Sequence, residues 1–242
     1  MKPKINIYDS LEEVVEAFSK MIEDIAEKAS DNKNNFSIAL SGGNTALLLF
    51  DYLVDNNKEN VNWKKISLYW GDERCVPPDH PESNYGAAYQ HLIKYIKIPE
   101  ENIHRIRGEN DPVKEAIRYS QEIKENLKGQ SNLPQFDLII LGMGEDGHTA
   151  SIFPDQMELL HSDNICGVAI HPQSKQKRVT LTGGVINNAS HISFLVTGKS
   201  KAAIAAEVLK GNSDNKKYPA AQIKPVNGIL EWYLDKEASM LL

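Results

Sequence analysis

The sequence predicts an α/β fold: a doubly wound, mostly parallel sheet covered by helices on both faces. Two observations carry this expectation. Short apolar runs recur at the length of buried strands, and most are followed by a turn-rich segment and then by apolar residues at helical spacing. In parallel sheets both faces are covered, so the strands read as apolar throughout instead of alternating.

The first helix is signalled from Ser10, where Leu11, Val14, Val15, Phe18, Met21, Ile22 and Ile25 recur at helical spacing and Ser10 with Glu13 forms a capping box. After a polar turn at Asp31 to Asn35, Phe36 to Leu40 reads as a buried strand, Ser41-Gly42-Gly43-Asn44-Thr45 as a loop and Ala46 to Val54 as a helix. The pattern returns with a strand over Ile66 to Trp70, a Pro-rich loop over Gly71 to Ser83 and a helix over Tyr85 to Ile96. His104 to Ile106 reads as a further short strand, Pro112 to Leu127 as a helix and Phe136 to Leu141 as the central strand. His191 to Val196 and Lys199 to Leu209 form the last strand-helix unit. Ligands of such sheets bind beyond the carboxyl ends of the strands, so the informative loops follow Leu40, Trp70, Leu141 and Val196.

Composition narrows the function classes. The 242 residues suit one α/β domain spanning 1–242, with 41% hydrophobic and 25% charged residues, close to ordinary globular usage. A net charge of -6 argues against a nucleic-acid partner, which needs a basic face, while leaving room for a small anion held by a local cluster of Lys and Arg. Met1-Lys2-Pro3-Lys4-Ile5 lacks the apolar run of a signal peptide and no stretch has the length of a membrane span, so a soluble cytoplasmic protein with no membrane partner is expected. Cys75 and Cys166 form no CxxC pair and read as two reduced thiols. The seven histidines show neither zinc-ligand spacing nor HExxH, so no metal site is expected. GxSxG, the mark of a serine nucleophile elbow, is missing too.

Four segments could carry chemistry. In Ser41-Gly42-Gly43-Asn44-Thr45, free backbone N–H groups and a helix dipole favour a phosphate, although the loop alone reads equally as a tight strand-to-helix turn. Gly71-Asp72-Glu73-Arg74 ends the next strand, and Arg74 can grip a phosphate through two parallel hydrogen bonds. Gly142-Met143-Gly144-Glu145-Asp146-Gly147-His148-Thr149-Ala150-Ser151 follows the central strand and brings a group that titrates near neutral pH to a loop that backbone can approach closely. Its glycines also match GxGxxG, but Pro154 soon interrupts any helix and Asp163 ends no second strand, which weighs against a dinucleotide site. Lys199 and Lys201 follow Thr197-Gly198 and can supply a cation to the same crevice, with Arg178 a weaker candidate.

Together, Ser41 to Thr45, Trp70 to Arg74 with Ser83-Asn84-Tyr85, and Leu141 through Pro154 resemble the three blocks of the 6-phosphogluconolactonase family; Thr197 to Ala202 is similar to a fourth. The blocks run from about Ile38 to Leu209 in the family's order. The resemblance implies a modified Rossmann-like sheet, shared with glucosamine-6-phosphate deaminases, and hydrolysis of a phosphorylated sugar lactone without a cofactor. By position it implies His148 as base, Arg74 and Lys201 as phosphate-binding cations and Ser41, Gly42, Gly43, Asn44 and Thr45 as the phosphate cradle. Asp72 and Asp146 match acids of the pattern, either of which could orient His148. Where the deaminases carry an acidic residue before the Pro of the histidine block this chain has Phe153, and Arg74 stands where they carry an aromatic residue; both departures favour the lactonase.

The chemistry agrees, because a δ-lactone is already an ester and needs only an activated water and support for the developing oxyanion. Gly144 and Gly147 are the expected oxyanion donors. The alternatives are an aminosugar-phosphate isomerase or deaminase, and a catalytically silent sugar-phosphate sensor. A monomer or small homo-oligomer is expected.

Overall fold

The computed structural model describes residues 3–29, 35–127, 133–210 and 213–242. Its framework is a six-stranded sheet in which every pairing is parallel. In chain order the strands are β1 (Lys4–Tyr8), β2 (Phe36–Leu40), β3 (Ile66–Trp70), β5 (Leu138–Leu141), β8 (His191–Val196) and β9 (Ile229–Asp235). A separate antiparallel sheet holds β4 (Asp72–Arg74), β7 (Lys177–Leu181) and β6 (Cys166–Ile170), in that order across the sheet.

The large sheet is ordered β1-β9-β8-β5-β2-β3. From β2 the chain steps outward to β3, then returns past β2 to β5 and continues through β8 to β9 in the opposite direction. Because parallel crossovers are right-handed, opposite directions of travel put helices on opposite faces. The reversal lies between β2 and β5, and the crevice at their carboxyl ends is where an open α/β sheet binds its ligand. β2, β3 and β5 are buried along their whole length, as their unbroken apolar patterns require.

The helices are α1 (Leu11–Ala29), α2 (Asn44–Tyr52), α3 (Asn84–His91), α4 (Pro112–Asn126), α5 (Gly183–Asn187), α6 (Ala202–Leu209), α7 (Pro219–Gln222) and α8 (Lys236–Ser239). α1 buries Val14, Val15, Phe18 and Ile22. The expected capping box forms with a shift of one residue. Glu13 N–H donates to Ser10 Oγ at 3.2 Å, but the Glu13 carboxylate reaches back to Asp9 N–H at 3.1 Å. Between β8 and β9 the register partners Phe194 and Trp232 stack at 3.8 Å. Burying side chains of this size contributes about 1.5 to 3 kcal/mol each.

Several expectations need correction. His104 to Ile106 is not a strand: Ile103 makes one isolated bridge with Leu68, and His104 N–H donates to Leu68 O, before the chain turns away. The expected loop after Gly71 begins with a strand, because Gly71 hands the chain from one sheet to the other. Its N–H donates to Leu40 O and its C=O accepts from Leu181 N–H, both at 2.8 Å. The helix expected to reach Ile96 ends at His91 and is followed by a 3₁₀ turn over Ile93–Tyr95. Lys199–Lys201 forms a 3₁₀ turn ahead of α6. β1, β6, β7 and β9 are strands that the sequence reading above does not include. The polar turn at Asp31 to Asn35 lies outside the described residues except for Asn35.

Candidate active site

A cleft of about 540 Å³ opens at the β2/β5 crevice. It is walled by the loops after β2, β5 and β8 and closed on one side by Asp72, Arg74 and Arg178 of the small sheet. Ser41, Gly42, Gly43, Asn44, Thr45, Gly144, His148 and Lys201 all line it, so residues far apart in the sequence converge there.

His148 sits on a loop that closes on itself. Gly144 N–H donates to His148 O at 2.9 Å and Gly147 N–H to Gly144 O at 3.0 Å, while Thr149 Oγ1 donates to Gly142 O at 2.9 Å. Both glycine N–H groups are therefore consumed within the loop, and the expectation that they serve as oxyanion donors is corrected. What Gly144 supplies is space: a Cβ there would lie 2.1 Å from His148 Nδ1 and 2.6 Å from Asp146 Oδ1.

The imidazole is a quarter exposed, with Nδ1 2.6 Å from Asp146 Oδ1, and the His148 backbone N–H donates to the same oxygen at 3.1 Å. Burial alone would raise the Asp146 carboxyl, but the hydrogen bonds and charge of His148 outweigh it and hold the group below the usual carboxylate range. An ionised carboxylate can only accept, so Nδ1 carries the proton and Nε2 is left as the basic nitrogen. Fully buried Phe153 packs against the imidazole with ring centroids 4.8 Å apart.

Asp72 does not take part in this pair, and its expected role is corrected accordingly. It is 5% exposed, with Oδ2 accepting from Ser151 Oγ at 2.5 Å and lying 4.0 Å from Arg178 Nη1. Its main-chain O accepts from Asn84 Nδ2 at 2.9 Å. Asp72 is thus placed to support an arginine and the loop around Asn84. Gly42 is needed here because a Cβ would fall 1.9 Å from Asn84 Oδ1. Asn84 is the buried first residue of α3, and no sequence signal separates such a residue from an ordinary polar helix start.

Arg74 and Arg178 are direct partners across the β4–β7 ladder. Arg74 Nη1 donates to Glu82 O at 2.7 Å, and Arg178 Nη1 to Ser151 Oγ at 3.5 Å. The Nε of each is buried without a hydrogen-bond partner among the described residues. Desolvation, with the charge of Arg74 added, lowers the Arg178 pKa despite Asp72. Like charges directly opposite on a sheet repel, and a buried unpaired donor is costly.

Glu73 has a different task. Only 2% exposed, it accepts from Arg74 N–H, Ser83 Oγ, Asn84 N–H and Tyr85 N–H at 2.7–3.0 Å, tying β4 to the start of α3. Burial outweighs these four donors and raises its carboxyl above the ordinary value.

Two backbone loops mirror each other at the cleft floor. Gly43, with φ 97°, precedes α2, and Gly198, with φ 91°, precedes the Lys199–Lys201 turn; neither helical start has a side-chain cap. The first-turn N–H groups of α2 therefore face the cleft with the positive end of its dipole. Thr45 Oγ1 and Thr197 Oγ1 join the loops at 2.8 Å. Thr197 was missed as a structural clasp, although the parallel between Gly42-Gly43-Asn44 and Thr197-Gly198-Lys199 is visible in the sequence.

Comparison with known proteins bears on what such a cleft does. Residues 9–232 match the family model described as glucosamine-6-phosphate isomerases/6-phosphogluconolactonase. The chain is 48% identical over 206 residues to a 6-phosphogluconolactonase of Haemophilus influenzae, covering 85% of this chain and 87% of that one. Among solved structures it is similar to the devB protein, with 40% identity, a TM-score of 0.92 and 98% of each chain covered. It is also similar to the 6-phosphogluconolactonase of Trypanosoma brucei, with 28% identity, a TM-score of 0.88, and 100% of this chain and 99% of that one covered.

Proposed function

Because this chain belongs to the glucosamine-6-phosphate isomerase/6-phosphogluconolactonase family, we propose that it hydrolyses 6-phospho-D-glucono-1,5-lactone to 6-phosphogluconate, a step of the oxidative pentose phosphate route. The observation that carries this reading is that His148, held by Asp146 at 2.6 Å, lines the same cleft as the paired Arg74 and Arg178. A base and an anion site within one cleft suit a substrate with a phosphate at one end and an ester at the other.

In this reading the phosphate is held by Arg74, Arg178, Lys201 and the Ser41–Thr45 loop, and the lactone C1 lies near His148 Nε2. Nε2 takes a proton from water as its oxygen attacks C1, giving a tetrahedral oxyanion. Collapse breaks the bond between C1 and the ring oxygen, and the imidazolium returns the proton to that oxygen. The free acid then ionises. Asp146 holds the tautomer and steadies the imidazolium, and the distant phosphate contact keeps C1 in reach of the base. No covalent intermediate or cofactor enters these steps.

The test is a pair of substrates. Acid release from freshly made 6-phosphogluconolactone, corrected for spontaneous opening, is expected to accelerate with protein, while glucosamine 6-phosphate yields no ammonia. Ammonia release without lactone turnover would replace this reading with the deaminase.

A further inference from the structure

Behind the His148 loop, on the side away from the cleft, lies a contact that the steps above do not use. Gly147 has a φ of 80°, and a Cβ there would meet Tyr218 Cδ1 at 2.6 Å and Cβ and Cγ at 2.9 Å. The phenol ring thus lies flush against the residue preceding His148. The same segment supplies a hydrogen bond: Ala220 N–H, in the first turn of α7, donates to Gly147 O at 3.0 Å. The Tyr218 hydroxyl is tied to the Glu207 carboxylate on α6. α6 begins immediately after Lys201, a cleft residue. A continuous chain of contacts therefore runs from the helix that carries Lys201 at its start, through Glu207 and Tyr218, to Gly147 and His148.

We infer that Tyr218 is a positioning residue for His148: its ring, anchored through Glu207, holds the Gly144–His148 loop so that the imidazole stays on Asp146. The loop needs such a support. Its own closure rests on two backbone hydrogen bonds, Gly147 within it and Ala150 just beyond it have positive φ, and the Asp146 side chain is nearly half exposed. Packing that fixes one geometry is what keeps a base within a few tenths of an ångström of its productive position. The inference rests on the reading of His148 as the base.

The experiment compares Tyr218→Ala, Tyr218→Phe and Glu207→Gln with wild type at a temperature well below every melting point. Tyr218→Ala is expected to lower kcat on the order of 10²-fold with KM changed by less than about threefold, since misplacing a catalytic group affects the chemical step more than binding. Tyr218→Phe keeps the ring and loses only the Glu207 anchor, so it is expected to recover most of the loss and to leave a deficit of about a few-fold, which Glu207→Gln is expected to share. A substrate-free readout separates this inference from the activity itself. The NMR titration midpoint of His148, assigned by its disappearance in His148→Ala, is expected to fall in Tyr218→Ala and to stay near wild type in Tyr218→Phe. Asp146 is the carboxylate facing the ring; Arg178 and His171 each contact Phe153, which packs on the imidazole. If wild type fails to open the lactone, the proposed function falls while the titration still decides the brace. A Tyr218→Ala protein with a lowered melting point but unchanged kcat and unchanged His148 midpoint would overturn the inference.

Discussion

Arg74 and Arg178 face each other across one rung of an antiparallel ladder, and neither Nε has a hydrogen-bond partner among the described residues. An anion held by the two guanidinium ends would offset their repulsion. Replacing either arginine with Ala removes a charge-assisted hydrogen bond of about 1.5 to 3 kcal/mol, or roughly ten- to a hundred-and-fifty-fold in kcat/KM for the phosphorylated lactone. Unphosphorylated gluconolactone never has the contact to lose and should be affected far less. Equal losses on both substrates would move the phosphate elsewhere in the cleft and leave the arginines acting on the lactone end.

Asp146 should matter through the tautomer of His148. Asp146→Asn can donate to Nδ1 and favour the wrong protonation pattern, so kcat should drop on the order of 10²- to 10⁴-fold while the fold persists. The carboxyl is held below its ordinary value in the folded state. Its contribution to stability is therefore present above the unfolded carboxylate value and lost as pH falls through the lower folded one. Thermal melts of wild type and Asp146→Asn should differ at neutral pH and converge in acid; a gap that widens below pH 4 would contradict the pairing.

Gly144 offers a test that changes no ionisable group. A methyl at this position would overlap the imidazole at 2.1 Å and the Asp146 carboxylate at 2.6 Å. Gly144→Ala should therefore push the base off its partner and lower kcat on the order of 10²-fold, with phosphate affinity measured by calorimetry little changed. Wild-type turnover in this variant would mean that the His148–Asp146 geometry is not the one used.

For Glu73 the expected loss is in stability. Its two oxygens accept four donors, and Gln would turn one accepting end into an NH₂ group facing two of them. Glu73→Gln should cost at least about 1.5 to 3 kcal/mol in chemical denaturation. Activity per folded molecule should fall only as far as Arg74 shifts. A variant as stable as wild type would show that the buried carboxylate is not needed to seat α3.

The parts of this molecule that were legible in the sequence are those whose chemistry is local. The unbroken apolar runs of Phe36 to Leu40 and Ile66 to Trp70 can only suit strands covered on both faces, and both are. The loops after β2, β5 and β8 are legible as site walls because each leaves the carboxyl end of a parallel strand. The small antiparallel sheet was not legible: β4 has three residues, all charged, and it is a strand only because Gly71 delivers it beside β7, more than a hundred residues on. The same long-range pairing is what promotes Arg178 from a weak candidate to the partner of Arg74. The division of labour between Asp72 and Asp146 was hidden for a related reason. Both are aspartates near glycines, and only the three-dimensional contacts with Ser151 and His148 tell them apart.

The central claim is that His148 is the base of a lactone hydrolysis, and the most direct measurement of it is the pH–rate profile of purified wild type and His148→Ala on fresh 6-phosphogluconolactone, with spontaneous opening subtracted at each pH. A histidine base makes the wild-type rate rise between about pH 5 and 8 as an imidazolium loses its proton. Removing it should lower turnover roughly 10²- to 10⁴-fold and flatten that rise, with the folded state intact. A His148→Ala protein that keeps near-normal turnover, or a wild type whose rate is flat across the same range while chemistry is limiting, would contradict the account.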